Sequence, residues 1–241
     1  MAKRGSKKTK RTTAGGRKST RERMLDVAEL LFAEHGYEGV SLREIARQGD
    51  VDLALLKYHF GDKMRLFEEV LSRRVEAVRN FRLEALEECR TRRGSTPPPI
   101  EDVVDAFMRP FLTLSTAGDH GWKNYMQLVA KVSIHPHWTA VLSRLFDPTA
   151  RYFLSAMRMA LPDATEEQIQ WSYQLMLANM VFIFAETGRI DLLSEEQYRS
   201  SDLEMAYGHM VRYVVGGVKA CASSVVEEAE SKPPRGAKKR R

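Results

Sequence analysis

What this chain of 241 residues lacks narrows the reading first. It has only two cysteines, Cys89 and Cys221. Two thiols make no disulfide framework and no Cys-rich zinc spacing. The fold must therefore rest on apolar burial, which a chain of this length can supply. No apolar run reaches the ~18 residues of a membrane-spanning helix. The longest patch, Leu175 to Phe184, is interrupted by Asn179. The basic N-terminus is not followed by the apolar region of a secretion signal, so a cytoplasmic protein is expected. Glycine-rich phosphate loops, Ser-His-Asp or Cys-His arrangements and paired carboxylates are missing, so no enzyme is expected. His135 and His137 have no third ligand at a recognisable spacing, so neither a metal nor a cofactor is expected. No stretch alternates apolar and polar residues over strand length, which leaves an all-α chain.

What is present begins with charge. The net charge of +6 is unevenly spread. Residues 1–23 hold ten Lys and Arg against one acid, and residues 227–241 hold six against three. The body between them, 24–226, holds 22 bases against 28 acids. Residues 1–18 lack apolar periodicity and read as a disordered basic arm; residues 223–241 read as a matching tail. Basic ends on an acidic body suggest a polyanionic partner, nucleic acid first.

The apolar periodicity starts at Ser19. Ser19 and Glu22 have capping-box spacing. Met24, Leu25, Ala28, Leu31 and Phe32 then form one helical face, which His35-Gly36 ends. Ser41 and Glu44 repeat the capping box, with Leu42, Ile45 and Ala46 as the stripe and Gly49 as the stop. Asp52 caps a third short helix that buries Leu56 and Phe60 with Val51. Gly61-Asp62 precedes a long helix expected from Lys63 to Arg92. Two short helices joined by a tight turn, after a longer one, read as a helix-turn-helix. With Leu56 and Phe60 inward, Leu53, Ala54, Lys57 and Tyr58 are expected to face outward. Such a helix suits a DNA major groove.

Residues 20–71 resemble the DNA-binding domain of the tetracycline-repressor (TetR) family of bacterial regulators. The resemblance is carried by the Ala-x-x-Leu-Phe-Ala-x-x-Gly-Tyr run at 28–37, Ser-Leu-Arg-Glu-Ile-Ala at 41–46, and Tyr58-His59-Phe60-Gly61-Asp62-Lys63. The chain departs from the family pattern at Gln48-Gly49-Asp50 and at Asp52-Leu53-Ala54. Asp52 stands where many members carry serine, and its expected role is an N-cap. The resemblance implies a helix-turn-helix domain over 19–65 and a helical ligand-binding and dimerisation domain over 66–222. It implies DNA contacts from Ser41, Arg43, Tyr58, His59 and Lys63, mostly to phosphates. Leu53, Ala54 and Lys57 are the expected sequence-reading residues. Arg17, Lys18, Arg21 and Arg23 are the arm residues nearest the domain.

Beyond Pro97-Pro98-Pro99, which no helix can cross, helical periods resume and continue to Ala222. Segments 102–112, 146–162 and 171–186 look more loosely like the subfamily that includes fatty-acid-responsive regulators. Helices 166–187 and 203–221 are the expected dimer bundle, with Ala206, Gly208, Gly216 and Gly217 permitting close approach. An apolar or amphipathic effector is expected against Met108, Phe111, Trp122, Tyr125, Met126, Trp138, Phe153, Met157, Met176, Met180 and Phe184. Arg109, Asn124, Gln127 and His135 are the candidates for its polar head. The expected protein is a homodimeric repressor of a palindromic double-stranded operator, released by that effector, with no membrane partner. A nonspecific nucleic-acid packaging protein and a small-molecule binder with no DNA role are the rival readings.

Overall fold

The structure is a computed structural model that describes residues 18–118 and 120–223. The expected basic arm and tail lie outside the described residues, apart from Lys18 and Ser223. Every regular element among the described residues is helical. They are α1 (Thr20–His35), α2 (Leu42–Gln48), α3 (Leu53–Phe60), α4 (Lys63–Ser72), α5 (Val75–Arg93), α6 (Ile100–Ala117), α7 (His120–Ser133), a 3-10 turn (Pro136–Trp138), α8 (Thr139–Ala160), α9 (Glu166–Phe184), α10 (Arg189–Leu193) and α11 (Leu203–Ser223).

The caps expected at Ser19 and Asp52 are built. Ser19 and Glu22 form a reciprocal capping box at the start of α1, and Thr165 with Gln168 does the same for α9. The box expected at Ser41 is only half made. Ser41 Oγ accepts from the Glu44 amide at 3.2 Å, and no return bond from Glu44 accompanies it. Asp52 Oδ1 accepts from the Ala54 amide at 2.6 Å, which makes it the N-cap of α3. Gly61 follows α3 at φ 75°, a backbone region that costs other residues strain and glycine nothing.

Helices α1 to α4 close a small core around Phe32, Ile45, Leu56, Leu66 and Phe67. Phe67 packs edge-on against Phe32, with ring centroids 4.8 Å apart. Helix α7 lies along α1, α6 packs between α5 and α11, and α9 against α11. One continuous apolar core runs through both halves. The 65/66 boundary expected from sequence falls inside α4, whose Leu66, Phe67, Val70 and Leu71 are all buried.

Two elements differ from expectation. The long helix from Lys63 to Arg92 is two helices, α4 and α5, broken at Arg73-Arg74. The break turns both guanidinium groups back onto α1. Arg74 holds buried Glu29 through two hydrogen bonds of 3.0 and 3.1 Å, and Arg73 reaches Asp26 at 2.9 Å. An uncompensated Glu29 carboxylate would be too costly to bury, so the break and the ion cluster come together. The helix expected to end near Gly188 stops at Phe184, and the short α10 follows. Pro110 and Pro148 are accommodated inside α6 and α8, each at the loss of one helical hydrogen bond.

Candidate nucleic-acid interface and ligand cavity

Helix α2 and the turn after it set the position of α3. The Val51 amide bonds the Ala46 carbonyl at 3.0 Å, and α3 starts at its Asp52 cap. Leu56 and Phe60 anchor α3 in the core. Ala54, Lys57 and Tyr58 then face solvent, with Tyr58 84% exposed. Leu53 corrects the expectation. It is half-buried and packs on the core, because it lies three residues before Leu56 and shares its face. The outward leucine is Leu55, 39% exposed. The same three- and four-residue spacing would have found it.

Arg43 and Arg47 are exposed on α2 and add positive charge beside α3. Ser41 is exposed at the start of α2, where unpaired amides favour an anion. His59 is half-buried, its ring 5.5 Å from that of Tyr58 and 6.1 Å from that of Phe60. Lys63 lies over the Tyr37 ring at 4.2 Å, which holds its ammonium near the start of α4. Of the arm residues, Lys18 pairs with Asp26 at 2.7 Å and Arg21 with Glu69.

A second feature lies in the other half. A cavity of about 380 Å³ opens among α5, α6, α7, α8 and α9. Of the expected ligand residues Phe111, Met180 and Phe184 line it, joined by Phe107, Leu142, Phe146 and Leu177. The other eight candidates lie elsewhere. Met108, Met126, Phe153 and Met157 are packed in the core. Tyr125 is buried and donates its hydroxyl to the Leu71 carbonyl at 2.6 Å. Trp122 stacks under Arg74 at 4.6 Å, and Trp138 packs 4.9 Å from Tyr37 and 4.4 Å from Phe67. Met176 faces a groove beside α11. Periodicity marks these positions as inward but cannot say whether the space beside them is full.

None of the four polar candidates lines this cavity. Arg109 is held by Asp105 through two bonds of 2.7 Å, Gln127 donates to Glu186 at 2.9 Å, and His135 Nδ1 accepts from the His137 amide. The polar groups that do line it include Arg82, Tyr173, Ser133 and Ser143. Sequence reasoning missed Arg82, because it is one of five arginines on α5 and nothing local separates its buried position from the solvated ones.

A third feature is an apolar stripe on α9. Trp171, Leu175, Ala178 and Phe182 are exposed at spacings of four, three and four. Beside it α11 exposes Met205, Tyr213, Gly208, Gly216 and Gly217, and open space lies over all three glycines.

A helix-turn-helix presented by a larger helical domain defines a class of protein, the DNA-binding transcription regulators. Residues 24–70 match the family of bacterial regulatory proteins of the tetR type, and residues 105–217 match the tetracyclin repressor-like C-terminal domain. The chain belongs to the TetR family of transcriptional regulators, whose members act as regulators rather than enzymes. It is similar to the regulator AcrR of Shigella flexneri, 40% identical over 60 residues, a quarter (25%) of this chain and 28% of AcrR. It is also similar to IcaR of Staphylococcus aureus, the negative transcriptional regulator of a biofilm operon, 37% identical over 49 residues, 20% of this chain and 26% of IcaR. These matches thus span little more than a quarter of the relatives' length. The fold is shared with FadR of Bacillus subtilis, solved with stearoyl-CoA, at 14% identity and a TM-score of 0.53, covering 82% of this chain and 98% of FadR. No helix among the described residues is long and apolar enough to cross a membrane.

Proposed function

We propose that this protein represses transcription as a homodimer, placing α3 of each copy in the major groove of a roughly palindromic operator. The observation that carries the reading is the outward face of α3, where Lys57 and Tyr58 stand free of the core. Lys57 is the candidate for base or phosphate contact, Ala54 and Leu55 for apolar contact with a thymine methyl. Ser41, Arg43, Tyr58, His59 and Lys63 are the candidates for phosphate contacts that set register. Half-sites are then about one DNA turn, ~34 Å, apart.

The second copy is proposed to cover the stripe on α9 and α11, because four exposed apolar residues in one row are unfavourable in water. The cavity beside α5 is proposed to take the effector. An effector can release DNA only by favouring a conformer that fits the operator less well. The α4–α5 junction is the proposed lever, since Arg74 touches both Glu29 of α1 and Trp122 of α7. The site of action is with the DNA, in the cytoplasm.

Selection of duplexes from a random pool, followed by footprinting, tests the reading. A palindromic site whose binding drops in Lys57→Ala and Tyr58→Ala is expected. Binding that ignores both sequence and these substitutions would instead support a packaging protein, and no footprint at all a small-molecule binder.

A further inference from the structure

The effector cavity has a charged wall that an apolar ligand does not explain. Arg82 is only 3% exposed. Its Nε donates to the Phe107 carbonyl at 2.9 Å, and Nη2 reaches only the Met180 sulfur at 3.5 Å. A thioether is a weak acceptor. The rings of Phe107 and Phe111 lie 3.8 and 4.7 Å from the guanidinium carbon. Among the described residues no carboxylate pairs with it. Burial lowers its pKa to about 10, so it is still charged at neutral pH.

A buried cation without a counter-ion is costly, and apolar replacements of such groups are often more stable. An anion reaching the open donors of the fork removes that cost. Tyr173 lines the same cavity, and its hydroxyl makes no hydrogen bond among the described residues. Burial pushes it up to about 12, which keeps it a proton donor. Asp147, bonded by the Ser143 hydroxyl, also lines the cavity, but on an exposed stretch of α8. Arg82 thus forms a buried part of the wall, and Asp147 is a second charge in the cavity, near enough to Tyr173 to raise it further.

We propose that the cavity takes a compact organic carboxylate, its head group held by Arg82 and the Tyr173 hydroxyl and its apolar body among Phe111, Leu142, Leu177 and Phe184. A volume of about 380 Å³ sits at the small end of ligand pockets. The regulatory meaning of this ligand rests on the effector reading above; the binding itself does not.

The test is calorimetric titration of the full chain with octanoate and 4-phenylbutyrate against their neutral amides. The expected result is that each acid binds at least ~10-fold tighter than its amide, as charge-assisted bonding implies. Arg82→Met abolishes that preference, while Tyr173→Phe weakens the acids several-fold. Arg82→Met is expected to melt no lower than the parent. If it does not fold, the acid–amide pairs on the parent chain and Tyr173→Phe decide the matter. Equal affinity for acid and amide, a preference that survives Arg82→Met, or no acid bound at millimolar concentration overturns the proposal. Operator release is measured in parallel. Release by acids and amides alike removes the carboxylate and keeps the effector reading; Arg82-dependent binding without release does the reverse.

Discussion

Helices α3 and α9 both turn a face away from the core, and the two faces are opposite in chemistry. On α3 the outward side is short, with Ala54, Lys57 and Tyr58, and arginines stand beside it on α2. On α9 it is a row of Trp171, Leu175, Ala178 and Phe182. The first face is well hydrated and can wait in water for a charged partner. The second is not: fully covering a large apolar side chain is worth about 1.5–3 kcal/mol. Three such residues on one stripe make a covered state strongly preferred. The proposed DNA contact joins hydrated groups and is readily reversed, whereas the proposed subunit contact would bury groups that water disfavours.

The largest effect should come from breaking the apolar face. Trp171→Glu with Phe182→Glu is expected to weaken self-association about 1000-fold or more, because central aromatic anchors dominate interfaces. Analytical ultracentrifugation checks this; an unchanged dimer, or a monomeric parent, refutes the assigned surface. Next is the ion cluster that joins α1 to the α4–α5 junction. Glu29→Gln leaves Arg73 and Arg74 without their buried partner and should cost about 3 kcal/mol, read by denaturant unfolding. A loss below ~1 kcal/mol would show the cluster to be an ordinary surface pair.

The hydrated face gives smaller effects. Lys57→Ala should cost about 1–2 kcal/mol in operator affinity with no change in melting temperature, because the side chain is exposed. A fall in melting temperature would mean that Lys57 supports the fold instead. Smallest is the acid limb of stability. Partial burial pulls Asp26 up, but hydrogen bonds from Lys18 and Arg73 outweigh it and hold the carboxyl below its ordinary 3.8. Its contribution is therefore present above about pH 4 and lost as pH falls through the lower folded value. Glu29 works in the other direction, since burial raises it above 4.5 despite Arg74. Asp26→Asn should flatten the drop in melting temperature below pH 4, and an unaltered acid limb would show that Asp26 is not its source.

The helix-turn-helix was legible because its signals are local. Ser19, Asp52 and Gly61 each act within one turn of their own position, and the caps and stops found there follow from short-range sterics and hydrogen bonding. The misplacement of Leu53 was avoidable by the same local geometry. The α4–α5 break was not, because Arg73 and Arg74 turn toward acids 45 and 47 positions earlier in the chain.

The cavity shows the same limit. Phe111, Met180 and Phe184 can be marked as inward from their period, but so can Phe153 and Met157, which are buried and do not line this cavity. Whether neighbouring helices meet or leave a gap depends on how five of them cross, and no segment carries that information. The placement of Arg82 is of this kind too.

The all-helical content, the helix-turn-helix and the family could thus be read from residues alone, since their signals lie in short segments of the chain. Which arginine ends up buried without a counter-ion, where empty volume remains, and which apolar faces go uncovered were set by packing between distant segments. Those outcomes depend on the sum of many long-range contacts, and that sum exists only once the helices have come together.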